Sequence, residues 1–329
     1  MHPVLFNVGD TPINAYGFLI AVALILGWVI SLRLARADKL PADILGTGYV
    51  ISVAIGLVAA RLMWLFQHPD EGGEGFAALI QLQAGGLIGG GGILAGLVVA
   101  GLHCQSNKIP PWAWLDCAAP AFLLGVVLER IAAYLSGANF GHYVDPDFVF
   151  AVSYPIDSAV YGMQRRDWSG LHLPADASLT VHPSQLYAAF AAAVGAGLTG
   201  LVRQRRRYSG QVALFALGVF AVVRYAIEDP FRYDSTPQIA GPITLGQVAA
   251  VVIVIVVAVA HFGRLAKLAE DPAAVVQWTG GPWTPGAAEA AKAAKAGKKS
   301  GGKKSGKKSA AAKPTDKSAD KPSDKSDEA

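Results

Sequence analysis

Three arginines lie inside stretches that otherwise read as lipid-embedded: Arg61 in VAIGLVAARLMWLF, Arg130 in AFLLGVVLERIAAYL and Arg224 in ALFALGVFAVVRYAIE. An unpaired arginine at a bilayer centre costs about 2.5 to 3.5 kcal/mol on insertion scales, so three would cost on the order of 8 to 10 kcal/mol. Charges that expensive to insert point to an internal polar cavity. Arginine keeps its charge and offers a planar fork of donors, so the cavity suits an anion, phosphate above all. Glu228 stands four residues after Arg224, on the same helix face, where it can neutralise or orient that arginine. Arg130 has Glu129 as its neighbour. Arg61 falls near the outer end of its stretch and is long enough to extend toward the interface.

Other motifs are weaker as chemistry. The run Gly85-Gly86-Leu87-Ile88-Gly89-Gly90-Gly91-Gly92 lacks the Lys-Ser/Thr that completes a phosphate-cradling loop and has no preceding strand. Close helix packing, or a segment where a ligand nears the backbone, fits it better. In His182-Pro183-Ser184-Gln185-Leu186-Tyr187, Pro183 and Ser184 are ordinary helix-start signals. There is no Gly-x-Ser-x-Gly elbow, so serine hydrolysis is not supported. The two cysteines, Cys104 and Cys117, have no metal-like spacing, and neither a metal nor a cofactor is expected.

The elements that position these residues follow from hydropathy. The chain has 329 residues, 53% hydrophobic and 16% charged, with a mean hydropathy of +0.38, which excludes an ordinary soluble protein. Windows of about 20 apolar residues give seven spans, near 14–32, 44–66, 85–103, 112–135, 184–202, 210–228 and 243–262. The first has no basic start or small-residue cleavage site and is kept as a span. Arg33, Arg36 and Lys39, then Lys108, then Arg203 and Arg205 to Arg207, then Arg264 and Lys267 all fall in loops on one side. Positive-inside therefore places the N-terminus outside and the C-terminus in the cytoplasm. The expected class is an all-α polytopic membrane protein with a small extracytoplasmic head formed by the loop 136–183. Residues 1–268 form the membrane domain. Residues 269–329 form a lysine-rich tail unable to bury a core and expected to be disordered near the anionic inner leaflet. That tail supplies much of the net charge of +4, so the basic balance is no sign of a nucleic-acid partner.

Taken in order, Ala15-Tyr16-Gly17, Ala60-Arg61, Gly85-Gly86, Asp116 with Ala119-Pro120, Arg130, Val144-Asp145-Pro146, the His182 to Tyr187 run, Arg224 with Glu228, and Gly246-Gln247 resemble a family. It is that of the bacterial phosphatidylglycerol-prolipoprotein diacylglyceryl transferases, and the resemblance covers about residues 10–262. It implies a multi-pass protein of the bacterial cytoplasmic (inner) membrane. The implied reaction moves the diacylglyceryl group of phosphatidylglycerol onto the lipobox cysteine thiol of a prolipoprotein signal peptide. Such a displacement needs cations on the departing phosphate and a base for the thiol.

By this resemblance Arg130 and Arg224 hold the phosphate, Glu228 orients Arg224, and Tyr16 lines the cavity. Arg61, Gly85, Gly86, His182, Ser184, Gln185 and Tyr187 are the further substrate-binding candidates. Where the family usually reads Gly-Arg-Leu-Gly-Asn-Phe-x-Asn-Gly-Glu, this chain reads Glu129 to Ala138 as ERIAAYLSGA, keeping the arginine and losing the amides and the final acid. His142, at the start of the head loop, is then the candidate base. A second reading is a relative that binds anionic phospholipid or signal segments without transfer. A solute transporter is disfavoured, since no inverted repeat is visible.

Overall fold

The computed structural model describes residues 4–9, 11–69, 86–168, 170, 172–233, 238–241 and 243–271. A two-stranded antiparallel hairpin, β1 (Val4–Val8) and β2 (Thr11–Asn14), leads into α1 (Ala15–Ala37). There follow α2 (Ala42–Gln67), α3 (Gly89–Ser106) and α4 (Pro111–Ser136). The short α5 (Ala159–Asp167) lies in the head, and α6 (Ser184–Arg205) and α7 (Gln211–Val223) return to the bundle. A second hairpin, β3 (Gln238–Ala240) and β4 (Ile243–Thr244), leads into α8 (Leu245–Glu270).

Among the described residues six helices are long and apolar enough to cross a membrane, and the chain is a multi-pass membrane protein. The third expected span falls on α3, which has 18 residues, opens on four glycines and ends among His103, Gln105 and Ser106. The other helices run past the apolar windows, as α1 does to Ala37 and α8 to Glu270. Hydropathy sees only the oily section, whereas a helix gains one hydrogen bond per added residue and continues through the interface. The expected boundary at 268 therefore falls inside the last turn of α8. The lysine-rich tail beyond 271 and Gly85 lie outside the described residues.

The packing has the pattern lipid imposes. Bundle positions with almost no exposure are largely small, as with Ala15, Ala35, Ala132, Ala133, Ala188, Ala192, Ala216 and Ala221. Phe66, Leu94, Phe190, Val259 and Phe262 point outward. Hydrocarbon solvates a phenylalanine as well as a core does, so helices gain from close backbone approach instead. Between α2 and α3 that approach is extreme: a Cβ on Gly56 would meet the Gly92 carbonyl oxygen at 2.9 Å. Within the glycine run, Gly91 and Gly92 thus form a packing surface against Met63, Gly56 and Ala60 of α2, while Gly89 and Gly90 face open space. α4 is the central helix, with α1 along one flank and α6 and α7 on others, while α8 packs on α7 and α3 on α2.

The loop between α4 and α6 has a core of its own, built from Phe140, Tyr154, Val160 and Val181 with Trp168 and Tyr233 against them. Isolated bridges join Tyr143 and Val152 to Val181, and Pro155 to Ala177. A small head is therefore present, as expected from the length of this loop.

Candidate functional site

The start of α1, the end of α4, the end of α7 and the start of α8 meet at one end of the bundle, the end from which the head emerges. Continuing from α7, residues Arg224–Glu228 form a π turn, in which the Asp229 N–H bonds the Arg224 carbonyl. Pro230 follows and has no N–H to give, which favours the irregularity. In a regular α-helix residues 224 and 229 would point about 140° apart. The wider turn brings both Glu228 and Asp229 onto Arg224, at 2.6 Å from Nη1 and 3.2 Å from Nη2. Single π turns of this kind are frequent at functional sites.

Arg130 reaches the same carboxylate from α4. Its Nη1 lies 3.5 Å from Glu228 Oε2, the oxygen that also takes Arg224 Nη1, and its Nε lies 2.5 Å from Glu129 Oε2. Two arginines from different helices therefore end on one oxygen. The other oxygen of Glu129 accepts from the Tyr16 hydroxyl at 3.1 Å. Asp229 is held in turn by Thr244, whose hydroxyl donates to Oδ2 at 2.7 Å while accepting the Gln247 N–H at 3.1 Å as the cap of α8. Arg232 is near enough to act on Tyr16 through space. Side-chain exposure is 13% for Arg130, 19% for Arg224 and 4% for Glu228, so the ion pairs are largely shielded from solvent.

Sequence reading singled out Arg130, Arg224, Glu228 and Tyr16, and these four belong to one cluster. It missed Asp229, Thr244 and Arg232. The Thr-x-x-Gln capping box at 244–247 was legible as a helix start, but nothing local showed that its hydroxyl would bond Asp229.

The remaining candidates sit around this cluster. Arg61 does not reach outward. It is 2% exposed, its Nη1 donates to the Gly86 carbonyl at 3.1 Å, and its guanidinium stacks 4.7 Å over Trp64. A carbonyl and an aromatic face desolvate a guanidinium at less cost than bare hydrocarbon does. Gly86 has φ +73°, and a Cβ there would meet Trp64 at 2.6 Å, so a side chain would disrupt this junction of α2 and α3.

Ser184 and Gln185 are buried at the start of α6. They donate to the carbonyls of Asn139 and Ala138 at 2.9 and 2.8 Å, and Gln185 also donates to the Tyr154 hydroxyl at 3.1 Å. They staple α6 to the segment that follows α4. Burial pushes the Tyr154 hydroxyl well above the usual tyrosine range, a shift that the Gln185 hydrogen bond opposes. His182 Nδ1 lies 3.3 Å from the Tyr187 hydroxyl, and its ring meets Phe148 and Phe231 edge-on. Burial holds His182 below the usual histidine value, and His142 adds to this. His142 is exposed, its N–H bonds the Phe231 carbonyl at 2.8 Å, and its ring packs edge-on against Tyr233. Among the described contacts none joins it to Arg130 or Arg224. Among the described residues there is no cluster of His, Cys, Asp or Glu that could hold a metal ion.

Fold and site together define a multi-pass membrane protein with paired arginines sequestered at one end of its bundle. Comparison with known proteins gives the family. The pattern described as prolipoprotein diacylglyceryl transferase matches residues 3–262, and the chain belongs to that family. Relatives named phosphatidylglycerol–prolipoprotein diacylglyceryl transferase include one from Symbiobacterium thermophilum, 27% identical over 290 residues, 83% of this chain and 97% of that protein. One from Lactobacillus delbrueckii subsp. bulgaricus is 25% identical over 286 residues, 82% and 92% of the two chains. One from Lysinibacillus sphaericus is 24% identical over 258 residues, 78% and 89%.

Proposed function

We propose that this chain transfers the diacylglyceryl group of phosphatidylglycerol to the lipobox cysteine thiol of prolipoprotein signal peptides. The observation that carries the reading is the convergence of Arg130 and Arg224 on Glu228 Oε2. A phosphate oxygen has the charge and geometry to take the place that this carboxylate oxygen holds. In the reaction the sulfur attacks the glyceryl carbon and the phosphate leaves. Arg130 and Arg224 hold the phosphate, and charge that gathers on it is met by donors already in position. Glu228 and Asp229 fix Arg224 before lipid arrives, Asp229 alone keeps its Nη2 once the phosphate has taken the Glu228 oxygen's place, and Tyr16 lines the cavity. Arg61 and Gly86 shape the α2–α3 wall. Ser184 and Gln185 hold the end of α4 in register, and His182 and Tyr187 border the head where the peptide arrives. The nucleophile comes from the substrate, so the chain's own Cys104 and Cys117, both buried and the latter beside Arg203 and Asp38 rather than Arg130 or Arg224, take no part.

The proposal includes α3 as a seventh crossing and the N-terminus outside, so that the arginine end faces the extracytoplasmic leaflet. The curated relatives named above favour transfer over a binding-only relative. The test supplies membranes containing phosphatidylglycerol with a lipobox peptide, with and without its cysteine. A thioether-linked mass gain confined to the cysteine peptide is expected. No gain from folded, lipid-bound protein would overturn the transferase reading. Arg224→Ala is expected to weaken binding of phosphatidylglycerol far more than of a neutral lipid, and equal weakening would indicate lost folding instead.

A further inference from the structure

Thioether formation from a thiol releases a proton, and that proton needs an acceptor beside the phosphate site. His142, the histidine nearest in sequence to this end of α4, is exposed and packs into the head against Tyr233. The carboxylates at the cluster are Glu129, Glu228 and Asp229. Glu228 is wedged between two guanidinium groups at 4% side-chain exposure. Asp229, at 0%, is tied to Arg224 and Thr244. Glu129 is different. Its side chain is 22% exposed, one oxygen meets Arg130 Nε, and the other is engaged only by the Tyr16 hydroxyl among the contacts described. It is the most open acid of the three, and it is attached to an arginine that holds the leaving group.

We propose that Glu129 is the base that takes the thiol proton. The pairing favours such a role. An arriving phosphodiester competes with Glu129 for Arg130, and a carboxylate that gives up its guanidinium is left with an oxygen able to take a proton. The thiol passes its proton to Glu129 as the sulfur forms its bond to the glyceryl carbon. The carbon–oxygen bond to phosphate breaks, and its electron pair stays on the oxygen held by Arg130 and Arg224. Glu129 then returns the proton to the departing phosphate. Thiol and phosphodiester become thioether and phosphate monoester, and the carboxylate is restored. Tyr16 keeps Glu129 oriented throughout.

The inference rests on the transferase reading, and the experiment separates the two. Wild type and Glu129→Gln, both reconstituted with phosphatidylglycerol, are given a lipobox peptide carrying cysteine and the same peptide carrying selenocysteine, whose selenol ionises at neutral pH without a base. Loss of a general base is expected to slow transfer to the cysteine peptide about 100-fold, and transfer to the selenocysteine peptide less than about 5-fold. Phosphatidylglycerol binding is expected to be retained. Equal losses on both peptides, or no loss on cysteine, would overturn the base and leave the transferase. Transfer by the wild type to neither peptide would overturn the transferase reading and the inference with it. Should Glu129→Gln fail to bind lipid, Glu129→Asp carries the same comparison, because it keeps the charge but withdraws it from the thiol, and the same outcomes apply.

Discussion

At the Asp116 end of α4 a carboxylate is held by three backbone N–H groups, those of Gly210, Val212 and Ala213, at 2.8 to 3.0 Å. About 21 Å further along the same helix, the partners of Glu228 are side chains, Arg130 and Arg224. Arg203 and Arg206 complete the first cluster by closing on Asp38 at 2.7 and 2.8 Å. Nearby, the Tyr208 hydroxyl meets His261 Nδ1 at 2.5 Å, and burial raises that hydroxyl above its usual range. Backbone donors cannot rotate away, so the Asp116 end is a permanent joint between α4, the α6–α7 turn and α7. Side-chain donors can exchange partners when a competing anion arrives. A carboxylate thus serves as a rivet at one end, while at the other, in the function proposed, it holds the place of an arriving anion.

The largest test of this contrast is Asp116→Ala. It orphans three N–H groups and takes one partner from Arg206, and breaking a buried pair of this kind costs about 3 to 5 kcal/mol. Denaturant unfolding in micelles should show a loss of that size. A loss under about 1 kcal/mol would mean that the joint is ornamental. Arg224→Lys should do the reverse. Lysine keeps the charge but cannot fork between Glu228 and Asp229, so kcat should fall about 100-fold while unfolding shifts by only about 1 kcal/mol. An unfolding shift as large as that of Asp116→Ala would erase the distinction between the two ends.

The smallest effect concerns pH. His182 sits below its usual value in the folded head, chiefly through burial and then through His142, so the unfolded chain binds its proton more readily. The stability that neutral His182 gives is complete above the unfolded value of about 6.5 and is lost as pH falls through that value toward the lowered one. Protection factors of head amides, exchange rates corrected for the intrinsic pH dependence, should therefore fall below about pH 6.5. His182→Asn should flatten that dependence, and an unchanged profile in the variant would assign it elsewhere.

Much of the bundle was legible beforehand. Apolar windows found the helices because the cost of leaving a peptide group unbonded in hydrocarbon applies to every span alike. Arg130, Arg224 and Glu228 were legible because charge within such a window stands out, and Tyr16 only through the family resemblance. The ends of helices were not, since α1 and α8 continue through turns bearing Arg36 and Lys267 that hydropathy scores as loop. Arg61 was misplaced for a different reason. Its position near a helix end is compatible with extension to the interface, and only the fold supplied Gly86 and Trp64 as partners.

What the sequence by itself determined is a membrane-spanning chain with guanidinium groups that hydrocarbon would not tolerate unpaired, and hence the need for partners to meet them inside the bundle. Composition and spacing suffice for that, because burial cost depends on residue type. Which arginines meet was decided by the tertiary structure alone. Glu129 and Tyr16 are 113 positions apart and touch only because α1 lies along α4. Asp229 faces Arg224 only because the helix widens into a π turn ahead of Pro230. Contacts between distant segments, and local departures from helical periodicity, follow from how whole elements pack, and no window of sequence contains that information.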